Sequence, residues 1–220
     1  GIFGGSAGGG KTWSILLEPL RHVTRKRFTA VIFRRTYPQI TQAGGLWQAS
    51  REVYPALGGY ARETSSEWIF PSSARIKFAH MQHEVDRFTW KGAEIALIEF
   101  DQLEEFTAEQ FWYLVSRNRS TTGVRPYIRA TCNPVPDDDV TGGWLRAFIA
   151  WWIHPDTGYP ILERAGVLRW LVRNVEPDVI EWADDAATLR ARFGSEVQPK
   201  SVTFVPATLA DNEILAAKDP

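Results

Sequence analysis

The chain has 220 residues, a net charge of −1 and 44% hydrophobic residues, which suits one large globular domain or one domain with a small appendage. No run of about 18 apolar residues exists, so a helical membrane span is excluded, and the chain does not open with the basic–apolar–small pattern of a signal peptide. The single cysteine, Cys132, excludes an internal disulfide and a multi-cysteine zinc site, and suits a reducing, cytoplasmic setting.

The first element is a short apolar strand, Ile2-Phe3. The run Gly5-Ser6-Ala7-Gly8-Gly9-Gly10-Lys11-Thr12 follows it and fits G-x-x-x-x-G-K-[ST], the phosphate-binding P-loop. Its glycines let backbone N–H groups approach phosphate oxygens, and the helix N-terminus behind them favours an anion. Lys11 then reaches the β- and γ-phosphates of a nucleoside triphosphate and Thr12 holds Mg²⁺. Because the chain starts within a strand just before this loop, a truncated N-terminus is expected.

Residues 12–24 read as the following helix, kinked at Pro19. Residues 29–33 are a continuous apolar run, the mark of a strand buried on both faces. Arg34 and Arg35 sit at its carboxyl end, where open α/β sheets place ligand groups. Residues 46–57 read as a helix. Residues 67–70 and 75–79 read as two strands joined by a turn. Residues 95–100 form the next buried strand, ending at Asp101. Thr107 with Gln110 makes a capping box for a helix. Residues 127–132 are a strand stopped by Asn133-Pro134. An apolar helix over 144–153, a strand over 167–172, a helix over 184–193 and a late strand over 201–205 complete the chain. Trp144, Trp151 and Trp152 read as core. His22, His80, His83 and His154 show no metal-ligand spacing.

The fold class that follows is α/β: a P-loop NTPase of the ASCE type, with a mainly parallel central sheet flanked by helices and a small lid or linker subdomain. Residues 1–153 are the expected core. Residues 154–220 are the expected lid or linker with the closing strand. Charge is unevenly spread: residues 1–35 carry seven Lys/Arg against one acid, and 94–110 carry six acids and no base. That permits a local polyanion-binding face, although solvated helix faces are the plainer reading of any single cluster.

A magnesium–nucleotide site needs a carboxylate at the end of a buried strand, and Asp101 supplies it. Hydrolysis needs a base or polariser for water. Position 102 is Gln, which orients water but does not readily take its proton. Gln102 as an orienting group, Glu104, Glu105 or Glu99 as the base, a slow natural variant and an engineered Glu→Gln exchange all stay open. Glu99 fits least, because alternation sets it on the side away from Phe100 and next to no obvious water path.

Taken together, the P-loop, Val31-Ile32-Phe33-Arg34-Arg35-Thr36-Tyr37-Pro38-Gln39, Trp90-Lys91-Gly92-Ala93, Phe100-Asp101-Gln102-Leu103-Glu104-Glu105-Phe106-Thr107, Ser116-Arg117-Asn118-Arg119-Ser120, Arg129-Ala130-Thr131-Cys132-Asn133-Pro134 and the segment 204–212 resemble the ATPase domain of tailed-phage terminase large subunits. The resemblance spans nearly the whole chain. It implies a motor that uses ATP and Mg²⁺ to drive double-stranded DNA into a procapsid, contacting phosphates without sequence preference. Portal protein and small terminase subunit are the implied partners. A ring, of five by resemblance, is implied on assembly, with a monomer for the isolated domain, in the host bacterial cytoplasm. No downstream acidic cluster marks a nuclease, so the ATPase domain alone is expected.

By the same resemblance, Lys11, Asp101, Gln102 and Glu104 are the catalytic set. Residues 5–12 with Arg34 or Arg35 hold the nucleotide, Thr131, Cys132 and Asn133 couple it to movement, and Thr12 and Asp101 hold the metal. Arg87, Lys91, Arg117 and Arg119 are candidates for an arginine-finger role in a neighbouring subunit. Two other readings remain: a different P-loop enzyme, either helicase-like or a small-molecule kinase, and an ATP-gated DNA- or portal-binding module with little turnover.

Overall fold

A computed structural model describes residues 1–5, 10–133, 135–175 and 178–207. Ser6, Ala7, Gly8 and Gly9 of the glycine loop, Pro134, and residues 208–212 of the closing segment lie outside the described residues. The chain forms two units. The larger is Phe3–Phe148 with Ala207, and the smaller is Gly1–Ile2 with Ile149–Pro206.

The larger unit is built from β1 (Ile2–Gly5), α1 (Lys11–Leu17), β2 (Thr29–Arg34), α2 (Tyr37–Thr41), α3 (Leu46–Val53), β3 (Tyr60–Arg62), β4 (Glu67–Ile69), β5 (Arg75–His80), β6 (Leu97–Phe100), α4 (Ala108–Val115), β7 (Tyr127–Cys132) and α5 (Gly143–Ile149). The smaller unit holds β8 (Arg169–Val175), β9 (Asp178–Ala183), α6 (Ala186–Phe193) and β10 (Lys200–Val202), and the chain returns through β11 (Phe204–Ala207). The main sheet runs β11-β1-β7-β6-β2-β5-β4-β3. Strands β7, β6, β2 and β5 are parallel; β4 pairs antiparallel with β5, and β3 antiparallel with β4.

The apolar runs of β2 and β6 make them the buried centre of the sheet. On one face Ala30, Ile32 and Leu97 pack with Ile15 and Leu16 of α1, Leu46 and Trp47 of α3, and Tyr54 and Trp68. On the other, Phe33 stacks on Phe100 at 5.7 Å between ring centroids, and Phe100 meets Phe106 at 5.2 Å and Phe111 at 5.6 Å.

Several element bounds differ from the sequence reading for local reasons. The helix after the P-loop ends at Leu17, and Pro19 lies in a separate 3₁₀ turn, Glu18–His22, because its ring cannot continue the helix. The apolar stretch 144–153 breaks into α5 and a 3₁₀ turn, Ala150–Trp152. Of the three tryptophans in that stretch only Trp152 is fully enclosed; Trp144 and Trp151 are half-buried. The late strand divides at Thr203 into β10 and β11. Helix α2 carries a Thr36–Gln39 capping box, the same signal that correctly marked Thr107 and Gln110 ahead of α4.

In the smaller unit β10, β8 and β9 form an antiparallel sheet. Trp152 is 1% exposed and donates from Nε1 to the Val167 carbonyl at 3.0 Å. The guanidinium groups of Arg164 and Arg169 lie 4.9 and 4.8 Å from the Trp151 ring.

One side chain ties the start of β6 to β7. The Asn118 amide donates to the carbonyls of Ile95 (3.0 Å), Ala96 (3.1 Å) and Tyr127 (3.2 Å). Asn118→Ala is expected to lower stability by about 1–3 kcal/mol, because three carbonyls lose a side-chain donor, two of them keeping only a backbone N–H. Urea unfolding measures this, and an unchanged midpoint would remove the tie from the account.

Candidate active site

The site is a consequence of strand register. Phe33 of β2, Phe100 of β6 and Ala130 of β7 are aligned across the sheet. The next residue on each parallel strand therefore falls in one row at the carboxyl edge: Arg34, Asp101 and Thr131. With a side-chain period of two, all three project to the same face. They meet there. Thr131 Oγ1 donates to Asp101 Oδ1 at 2.6 Å, and Arg34 Nη1 lies 3.3 Å from Asp101 Oδ2. Asp101 is 6% exposed and Thr131 fully buried, so both contacts act with little solvent screening.

Gln102 turns the chain out of the sheet with φ 63 and ψ 68, the left-handed conformation. For a non-glycine residue that costs roughly 1–2 kcal/mol, and the neighbours over-determine it. Its N–H donates to Thr131 Oγ1 at 3.0 Å, and its side-chain Oε1 accepts from Arg34 Nη1. Thr131 Oγ1 thus accepts from the backbone of Gln102 while donating to Asp101, so one hydroxyl fixes two consecutive residues. Arg34 Nε is buried without an acceptor among the described residues.

Lys11 begins α1, directly after Gly10 in the left-handed region (φ 73), and its Nζ donates to the Gly5 carbonyl at 2.9 Å. Gly5 itself has φ 145, and a Cβ there would stand 1.9 Å from the Ala207 carbonyl oxygen, so only glycine fits where β1 leaves the sheet. Partial burial pulls the Lys11 ammonium below its usual range. Thr12 is exposed on the first turn of α1.

Glu104 is 8% exposed. Its Oε1 accepts from Asn133 Nδ2 at 2.8 Å, while its Oε2 is buried with no partner among the described residues. Burial raises its carboxyl above the ordinary glutamate value, partly offset by the Asn133 bonds. Cys132 lies buried between these positions, and burial pushes its thiol to about 12, so it is an inert neutral group at physiological pH.

Other sequence candidates sit elsewhere. Arg35 donates to Gln110 Oε1 of α4 at 2.8 Å, on the face opposite to Arg34 along the strand. Glu105 accepts from Gln39 Nε2 at 3.0 Å. Arg87 pairs with Glu84 and with Glu109 (3.0 Å), Arg117 lies 4.8 Å from the Tyr113 ring centre, and Arg119 donates to the Ala93 and Gly92 carbonyls at 3.2 Å each. No group of three or more His, Cys, Asp or Glu suited to a metal ion occurs among the described residues, the histidines included. No helix among them is long and apolar enough to cross a membrane. The sequence did not reveal the Arg34–Gln102 and Asn133–Glu104 contacts, because both depend on cross-strand register.

Residues 2–220 match the family described as "Terminase large subunit, T4likevirus-type, N-terminal", and the chain belongs to it. The large terminase of a thermophilic bacteriophage is similar over 96% of this chain and 41% of that one, with a TM-score of 0.56 and 11% identity. The HK97 bacteriophage large terminase is similar over 70% of this chain and 36% of that one, with a TM-score of 0.49 and 11% identity. No curated protein matches the chain. The likeness to the thermophilic phage protein is one of fold: mixed α/β with a mainly parallel sheet. The chain spans about two fifths of the length of that protein, the 41% above.

Glu99 lies two residues before Asp101 on the same face, fully buried, with neither oxygen hydrogen-bonded among the described residues. Burial lifts its carboxyl well above the ordinary glutamate range. A carboxyl raised on folding is most compatible with the fold below the ordinary glutamate value, and stability falls as pH climbs from there. Glu99→Leu is therefore expected to stabilise the protein at pH 8 by about 1–3 kcal/mol, with the gain shrinking toward pH 4. Thermal melts across that range test this; a gain that ignores pH would contradict it.

Proposed function

We propose that this chain is an ATPase motor domain that couples ATP hydrolysis to the movement of double-stranded DNA into a procapsid. The observation that carries the reading is the row of Arg34, Asp101 and Thr131 at the carboxyl edge of the sheet, in a chain whose P-loop motif leads from β1 into α1. Polar groups held this way suit a ligand bound across that edge.

In this reading residues 5–12 cradle the phosphates, and Lys11 exchanges its bond to the Gly5 carbonyl for the β- and γ-phosphates. Thr12 and Asp101 are the residues for Mg²⁺. One hydroxyl and one carboxylate suit a cation that takes its remaining oxygens from phosphate and water. When bound, Mg²⁺ neutralises phosphate charge. Glu104 is the base: its Oε2 is buried without a partner among the described residues, and burial raises the carboxyl's proton affinity, as a group that must take a proton from water requires. Water attacks the γ-phosphorus, its proton passes to Glu104, and the bond to the ADP oxygen breaks.

Asn133 holds the other Glu104 oxygen, so a change at the phosphate is felt at the end of β7. Thr131, Cys132 and Asn133 are the coupling segment on this account. The domain scheme is a core over 1–153 and a lid or linker with the closing strand over 154–220. The partners are portal protein, small terminase subunit and further copies in a ring, acting in the host bacterial cytoplasm. DNA is gripped by its phosphates, as sequence-independent packaging requires.

Glu104→Gln is expected to reduce kcat by about 10²–10⁴-fold while ATP still binds. Lys11→Ala is expected to lose ATP affinity. In the parent, kcat should fall as pH drops through a value above the ordinary glutamate range, because protonated Glu104 no longer accepts a proton. Steady-state hydrolysis and equilibrium nucleotide binding read all three, and parental turnover in Glu104→Gln would contradict the assignment.

A further inference from the structure

Position 102 is where a base is absent and an amide stands. The structure constrains that amide at both ends. Its backbone N–H is held by Thr131 Oγ1 at 3.0 Å, and its left-handed φ of 63 fixes the direction in which the side chain leaves the strand. At the tip, Arg34 Nη1 faces the amide, and the same nitrogen also approaches the Asp101 backbone carbonyl at 3.5 Å and Asp101 Oδ2 at 3.3 Å. A guanidinium has donors only, so the amide atom it faces is the carbonyl oxygen. The Gln102 NH₂ group is thereby directed away from Arg34, and it makes no hydrogen bond among the described residues.

We propose that Arg34 is a positioning residue for Gln102. By taking the amide oxygen, it leaves position 102 able to present only a hydrogen-bond donor, aimed at the γ-phosphate oxygens or at the oxygen of the attacking water. This rests on the ATPase reading above and deepens it. Gln102 is then a fixed donor that stabilises charge growing on the phosphoryl group, not a degraded base.

Two physical consequences distinguish this role from that of a missing glutamate. A carboxylate at position 102 would pair with Arg34, whose positive charge lowers its proton affinity, so it would be a poor base. It would also turn an acceptor toward the phosphate, where the wild-type residue turns a donor. Restoring Glu at 102 therefore slows the reaction. Arg34 acts on Gln102 through this contact while also pairing with Asp101 Oδ2 at 3.3 Å, and the shared contact means the effects of removing Arg34 and Gln102 are not independent.

The test uses the intact terminase large subunit with DNA and procapsid, comparing the parent with Gln102→Glu, Gln102→Met, Arg34→Lys and the double variant Arg34→Lys/Gln102→Met. The readouts are kcat, KM, the pH profile of kcat, and the equilibrium affinity for ADP. ADP lacks the γ-phosphate and so reports whether each variant still folds and binds. The expected results are a fall in kcat of about 10²-fold for Gln102→Glu and Gln102→Met, with ADP affinity and KM held within about threefold and no new acid limb. Arg34→Lys is expected to lower kcat in the parent and to cost clearly less in the Gln102→Met background, where only its pairing with Asp101 is left to lose.

A rise in kcat for Gln102→Glu, with turnover in the parent, would overturn the inference while leaving the ATPase reading intact. Multiplying effects of Arg34→Lys and Gln102→Met would overturn it equally. Absence of hydrolysis in the parent and in every variant would overturn both this inference and the ATPase reading.

Discussion

The parallel register of β2, β6 and β7 is the constraint on which the site depends. Strands β2 and β6 are largely buried apolar runs flanked by β7, and their alignment through Phe33, Phe100 and Ala130 sets a polar residue of each at the same step at the carboxyl edge. Arg34, Asp101 and Thr131 are adjacent because the hydrophobic residues beneath them are in register. A slip of one residue on β6 would turn Asp101 into the opposite face, where Phe33, Phe106 and Phe111 surround Phe100. Core packing and site assembly are therefore one requirement, and the Asn118 amide that joins the start of β6 to β7 serves both.

The polar edge is held at a cost in stability. Gln102 keeps a left-handed backbone, Glu104 keeps one oxygen without a partner among the described residues, and Glu99 is enclosed with neither oxygen bonded among them. Each feature opposes folding, and each lies on or beside β6. The Thr131 hydroxyl, the Arg34 guanidinium and the aromatic packing of Phe100 hold them in place. Strain gathered at one strand end, against a rigid apolar support, suits a site whose groups must already stand in position when substrate arrives.

Much of the larger unit was legible in the sequence, for physical reasons that differ by element. Strands β2 and β6 announced themselves as apolar runs, β7 was marked by its stop at Asn133-Pro134, and Thr107 with Gln110 announced α4. Strand β3, with Tyr60 and Arg62 exposed, and β9, with Val179 exposed, lacked a buried face to create a pattern. Helix α2 was missed although Thr36 and Gln39 carry the capping signal, because five residues give no helical period. At the candidate site, the P-loop motif pointed to Lys11 and the end of a buried strand to Asp101, while Glu104 was one of several glutamates left open as the base. The partners of Gln102 and Glu104 were not readable, since Arg34 is 68 positions from Gln102 and Asn133 is 29 from Glu104. Only strand order brings them together.

The central claim is that the ends of β6 and β7 act as one nucleotide-responsive unit through the Thr131 hydroxyl. Amide hydrogen exchange on the intact large subunit, with and without ATP and Mg²⁺, tests it most directly. The account predicts that peptides covering residues 97–106 and 127–133 gain protection together on nucleotide binding, and that Thr131→Val uncouples them while ATP still binds. Protection confined to the P-loop helix, with both strand ends unchanged in the parent, would contradict it.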